Sequence, residues 1–237
     1  SENPGKEVVY FAVGFETTAP ANALSVVHAD KMGLQNYSIL VSHVLVPPAI
    51  EAVMNDPETA VNGFLAAGHV MTIMGYEEYV PLTSKFKVPI VITGVEPVVL
   101  LQGILMAVRQ LEAGTCELEN QYSRVAFETG NLPARKTIFK VFEISDQMWR
   151  GIGEIPGSGY RLKPEFSRFD AEEKFDIDID KAQESQECIA GQVLKGIKKP
   201  SDCPMFGKLC TPENPLGAPM VSSEGACAAY YHYFSEA

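Results

Sequence analysis

Short apolar runs that alternate with helix-starting segments constrain this chain more than any other feature. Val8 to Val13 (VVYFAV) is a continuous β-favouring run, and after Gly14 the segment Thr17-Thr18-Ala19-Pro20 supplies a cap and an early proline for a helix. The pattern recurs. SILVSHVLV (38 to 46) is followed by Pro47-Pro48, which open a helix through Met54, and FLAAG (64 to 68) reads as helical and leads into HVMTIMG (69 to 75) as the next strand. A helix over Tyr76 to Ser84, a buried strand in VPIVITG (88 to 94) and a long helix from Glu96-Pro97 continue the alternation. Strands and helices in this order predict an α/β fold with a parallel sheet covered on both faces, a Rossmann-like domain. Such sheets bind ligands beyond the carboxyl ends of their strands, near Gly14, Gly75 and Gly94 here.

Further along, CELENQYSRV (116 to 125) reads as helical, and KTIFKVFEISD (136 to 146) fits a strand or a helix depending on the window. Beyond Trp149 the texture changes: GIGEIPGSGYRL (151 to 162) is turn-rich, and FDAEEKFDID is acidic and exposed in character. The boundary is therefore placed between an α/β domain at 1–150 and a Gly/Pro/Cys-rich domain at 151–237. With 237 residues, 46% of them hydrophobic, the chain can bury a sizeable core. A net charge of -11 argues against an extended phosphate-binding surface and hence against nucleic acid, which leaves small molecules or proteins as partners. The most apolar stretch, Val98 to Val108, is interrupted by Gln102 and Gly103 and is too short to span a bilayer. The start, Ser-Glu-Asn-Pro-Gly-Lys, has neither an initiator Met nor a signal region, so the expectation is a non-secreted chain with a cut N-terminus.

Four of the five cysteines, Cys188, Cys203, Cys210 and Cys227, fall in the last fifty residues, separated by fourteen, six and sixteen residues. An odd total spread unevenly over a chain of this length fits a reducing, cytoplasmic setting better than a disulfide scaffold, with Cys116 as a spare thiol. Residue chemistry leaves three readings of the four open: buried small hydrophobes, a zinc ion, or an iron-sulfur cluster. Structural zinc commonly uses ligands paired at two to four residues, and no such pair occurs here.

Other candidates each have a bland alternative. GFETTAP (14 to 20) stands at a strand-to-helix turn where amides and the hydroxyls of Thr17 and Thr18 suit an anion, or serve only as a cap with Glu16 solvated. His69 and His43 suit acid, base or ligand roles, but lone histidines are more often structural. Gly157-Ser158-Gly159 lacks the third glycine of a phosphate loop, and Asp176, Asp178 and Asp180 lack the glycine and glutamate of a calcium loop, so a turn and a solvated face are expected.

Taken together, GFETTAP (14 to 20), GHVMTIMG (68 to 75), PIVITGVEP (89 to 97), NQYSRV (120 to 125) and PENPLGAPMVSSEGACAAYY (212 to 231) resemble the HypD family of nickel-iron hydrogenase maturation proteins. The resemblance covers nearly the whole chain. It implies that Cys188, Cys203, Cys210 and Cys227 ligate a 4Fe-4S cluster, and that Gly14, Phe15, Glu16, Thr17, Thr18, Gly68 and His69 line the working cleft or a partner surface. It also implies a scaffold role rather than that of a classical enzyme. With a HypC-like chaperone and a HypE-like cyanide donor, such a scaffold holds the iron of the Fe(CN)2CO group destined for the hydrogenase. Family members carry an iron-binding cysteine and a redox pair in a domain ahead of GFETT. This chain has no cysteine before Cys116, so it reads as lacking that domain and as unable to assemble the group alone. Ala67, Met71, Val98-Val99 and Pro219 are smaller departures from the family pattern. The rival expectations are an α/β small-molecule enzyme using GFETT and His69, and a zinc-stabilised interaction module.

Overall fold

A computed structural model describes residues 3–175 and 185–234. The described residues fall into two compact units, one drawn from Ser1–Glu51, Asn62–Gln147 and Pro156–Asp178, the other from Ala52–Val61, Met148–Ile155 and Ile179–Ala237. Asp176, Asp178 and Asp180 of the acidic segment lie outside the described residues.

The first unit is a mixed α/β body with parallel pairing, as the alternation predicts, but the strands divide between two parallel sheets. Strand β1 (Val8–Gly14) pairs in parallel with β2 (Tyr37–His43), from Val8 opposite Tyr37 to Gly14 opposite His43. Helix α1 (Ala19–Lys31), with a proline in its first turn, connects them. Its Ala19, Ala23 and Val26 are fully buried with Ala12, Ile39, Ile138, Phe142 and Phe169 in one core. Small residues on α1 let the helix approach closely.

Helix α2 (Val46–Asn55) follows β2, and the second sheet then has the order β3 (Phe64–Ala67), β4 (Ile90–Thr93), β5 (Leu118–Asn120), all parallel. Between them run α3 (Gly68–Met74), a 3-10 turn with α4 (Val80–Phe86), and the long α5 (Pro97–Ala113).

Two expectations are corrected in this region and one open reading is resolved. FLAA is the strand and GHVMTIM the helix, the reverse of the local reading, because Phe64 to Ala67 pair with Ile90 to Thr93 of the fully buried β4. Pairing with a buried strand outweighs the helix preference of Leu and Ala. The stretch 116 to 125 is not helical: Leu118 to Asn120 pair with β4, and turns follow. The ambiguous 136 to 146 stretch is both structures in succession, the end of α6 (Leu132–Val141) and the start of β6 (Phe142–Trp149). Asn131 caps α6 by accepting the Ala134 N–H at 3.0 Å.

The turn-rich stretch after Trp149 is also corrected. Gly153–Leu162 is β7, paired with β6, and the carboxylate of Asp146 accepts the Gly157 N–H at 2.8 Å. Short α7 (Ala171–Phe175) closes the described part of the first unit. In the second unit the backbone is mostly turns around α8 (Ala190–Leu194), α9 (Ala218–Val221) and α10 (Ala226–Tyr233). A small apolar cluster of Cys210, Met220 and Ala228, with Phe206, Leu216 and Tyr231 against it, is its core. No helix among the described residues is long and apolar enough to cross a membrane.

Candidate functional site

Loops with fixed turns bring the four clustered cysteines together. Cys188 precedes α8, its N–H donating to Ser185 O at 3.0 Å. Cys203 ends a 3-10 turn at Pro200–Asp202, where the Asp202 carboxylate accepts the Lys199 N–H at 2.8 Å. A tight turn returns the chain from Met205 to Cys210 through Gly207, whose φ is 67°. Cys227 lies in the first turn of α10. All four side chains line one cavity, with Phe206, Pro219 and Met220 among the apolar residues of its wall.

The thiols sense one another. Burial pushes the Cys227 thiol up to about 11, and the charges of Cys210, Cys188 and Cys203 push it the same way. Cys227 thus resists ionisation until a cation enters, whereupon the neighbouring sulfurs that oppose its charge can share the cation with it. The Leu216 N–H points at Cys210 Sγ at 3.4 Å, a contact suited to a thiolate. Gly217 leaves no room for a side chain: a Cβ there would lie 2.3 Å from Cys188 Sγ. Pro219 lines the same cavity. These thiols, with an amide at one sulfur and a wall without competing ligands, suit a thiolate-held metal centre. No group of three or more His, Cys, Asp or Glu among the described residues is arranged to hold a single metal ion. Cys116 is a free, half-buried thiol of the first unit.

The cleft candidates of the first unit separate into distinct roles. Gly14 ends β1 with a φ of 144°, and a Cβ there would meet Thr18 Oγ1 at 2.4 Å. Thr18 holds the N-cap position of α1 without capping it, since its hydroxyl donates to Phe15 O at 3.1 Å. Phe15 is 43% exposed, whereas Glu16 is only 2% exposed, so the solvated alternative for Glu16 is corrected. Glu16 Oε1 accepts the Val46 N–H at 2.9 Å and Oε2 has no hydrogen-bond partner. Desolvation raises its carboxyl to about 7, the Val46 hydrogen bond opposing and the Glu78 charge adding.

Gly68 is buried against the Tyr122 ring, and His69 is exposed in the first turn of α3. His43 is fully buried, its Nε2 2.8 Å from the Asn22 amide nitrogen and its ring beside Phe142 and Tyr160. Burial lowers it to about 4, so it is neutral at physiological pH, a structural histidine.

The residues that sequence reasoning missed surround Glu16. Tyr79, Tyr160, Glu77, Glu78 and Arg135 share a pocket with it beyond the ends of β1 and β2. Tyr160 follows a stretch that looks like turns, and Tyr79 sits in an unremarkable helical run, so only the strand-end rule and the GFETT turn point to this place.

Residues 1–234 match the HypD family, described as the hydrogenase formation hypA family. The chain is 44% identical over 239 residues to the hydrogenase maturation factor HypD2 of Bradyrhizobium diazoefficiens, covering 98% of this chain and 63% of that one. It is 43% identical over 238 residues to the hydrogenase maturation factor HypD of Azotobacter vinelandii, with the same coverage. The HypD factor of Escherichia coli K12 is 42% identical over 233 residues, covering 98% of this chain and 62% of the relative. The chain thus spans less than two thirds of the length of these curated relatives. A match over nearly all its residues, at this identity and to several relatives, shows that the chain belongs to the HypD family of hydrogenase formation proteins.

Proposed function

We propose that this chain supplies the iron-sulfur part of a hydrogenase maturation scaffold, with Cys188, Cys203, Cys210 and Cys227 as ligands of a 4Fe-4S cluster. The observation that carries the reading is the convergence of four thiols, distant in sequence, on one cavity. Thiolates around one zinc ion would stand roughly 3.8 Å apart, from a Zn–S bond of about 2.3 Å. A cluster gives each thiolate its own iron and suits a more open ring. The spacing of the four cysteines, with no pair two to four residues apart, favours the cluster over zinc. Bound there, the cluster supplies one-electron transfer, at a potential set by burial and hydrogen bonds to sulfur. The chain's own residues hold the thiols in place: the Leu216 amide faces Cys210, and Phe206 and Met220 supply apolar wall beside them.

In the whole protein this part would work in a reducing, cytoplasmic setting with a HypC-like chaperone and a HypE-like cyanide donor. The α/β unit, Rossmann-like in its strand-loop-helix order, would present the GFETT turn, Gly68 and His69 as the cleft or partner surface. The Fe(CN)2CO iron would be cargo held through cysteines outside this chain.

Anaerobic reconstitution with iron and sulfide tests the cluster. About four irons and four sulfides per chain are expected, with a broad visible absorption that Cys203→Ala abolishes. About one zinc per chain, or absorption indifferent to Cys203→Ala, would overturn the reading in favour of a zinc module or of no cluster.

A further inference from the structure

The pocket around Glu16 lies within the first unit, uses none of the four clustered cysteines and is independent of the cluster proposal. Two buried polar groups in it are unsatisfied. Glu16 and Tyr79 are each 2% exposed, and neither Glu16 Oε2 nor the Tyr79 hydroxyl has a hydrogen-bond partner. Leaving such groups dry is costly, so their retention in residues that line one pocket points to something that binds them.

The pocket has a cavity volume of about 40 Å³, which is more than a single water requires. Its charge is lopsided. Glu16, Glu77 and Glu78 line it against one cation, Arg135, whose Nη1 already donates to Thr129 O at 2.8 Å and stands 3.9 Å from Glu77 Oε2. The rest of the wall is apolar, with Leu45, Met74, Phe139 and Ile144.

We infer that this pocket receives an alkylammonium or guanidinium group on a short aliphatic stem, its head on Glu16 Oε2 and the Tyr79 hydroxyl, its stem along Leu45, Met74 and Ile144. The head pairs the buried carboxylate and donates to both orphaned oxygens, and the stem replaces water on the apolar wall. Either a free amine or a lysine or arginine side chain of another protein carries this chemistry.

The carboxyl of Glu16, raised to about 7, gives the binding a pH signature. Glu77, Glu78, Arg135, Tyr79 and Tyr160 are the other titratable groups of the pocket, and burial holds both tyrosines above their ordinary range. A cation favours ionised Glu16, so affinity should rise about tenfold from pH 6 to pH 8.

The test is NMR titration of the full chain, carrying labelled glutamate carboxyl carbons and tyrosine rings, with n-butylammonium chloride. Saturable shifts at Glu16 and Tyr79 are expected, with butan-1-ol and butyrate at least tenfold weaker at matched ionic strength. Nα-acetyl-lysine methylamide binding as tightly as butylammonium assigns the site to a protein side chain, and its weaker binding assigns it to a free amine. Glu16→Gln should remove the pH dependence, and Tyr79→Phe, which breaks no existing hydrogen bond, should weaken binding several-fold. Equal binding of butan-1-ol and butylammonium, or a pH profile that survives Glu16→Gln, overturns the inference. If Glu16→Gln fails to fold, unchanged butylammonium affinity in Tyr79→Phe overturns it instead.

Discussion

Glu16 shows how one carboxyl can be read correctly for place and wrongly for environment. Its position after a strand-ending glycine marks it for the end of the sheet, but nothing local says it is buried. That follows from Val46, Tyr79 and Tyr160, which reach it from three other elements. The energetic consequence has a definite sign. In the unfolded chain the acid releases its proton near 4.5, while in the fold it keeps it to about 7. Between those values the folded state binds more protons, so stability falls as pH rises from about 4.5 to 7 and the loss is complete above it. The loss attributable to Glu16 is about 3 kcal/mol. Urea unfolding of Glu16→Gln across this range should show a flatter pH dependence by that amount, and identical slopes for the two proteins would contradict it. Gly217 makes the complementary case, a residue whose role is to be absent. Its missing Cβ leaves room for Cys188 Sγ, so Gly217→Ala should lower the iron bound after reconstitution to well under half of wild type while leaving the far-ultraviolet spectrum unchanged.

Among the elements, strands with long or fully buried apolar runs were legible, and short ones were not. VVYFAV and IVIT read as strands because each is a continuous β-favouring run. FLAA and LEN are four and three residues long and become strands only by pairing with β4, which no local window contains. Strand β7 was hidden by its glycines: Gly153 opens it and Gly157 lies inside it, both with positive φ. The β3 to α3 junction depends on Gly68, where a Cβ would lie 2.4 Å from the Tyr122 ring and 2.9 Å from Thr93 O. Gly68→Ala should therefore destabilise the chain by about 2 kcal/mol, since neither backbone nor ring can yield freely. Thermal unfolding would show this as a lowered midpoint, and an unchanged midpoint would mean that the junction can open without cost.

At the level of the whole molecule, the four cysteines were the most legible feature, because thiol chemistry narrows their roles before any fold is known. What the sequence could not supply was their convergence, which depends on turns at Ser185, Pro200 and Met205 and on the start of α10. The GFETT pocket and the thiol cavity fall in different compact units, so the two proposals can be tested separately on one chain. The measurement that bears most directly on the central claim is iron and acid-labile sulfide per chain after anaerobic reconstitution, compared across wild type, Cys116→Ser and single Cys→Ser changes at 188, 203, 210 and 227. The account predicts about four of each in wild type and in Cys116→Ser, with marked loss in each of the other four variants. Retention of the full complement in any of those four, or about one zinc in place of iron, would contradict it.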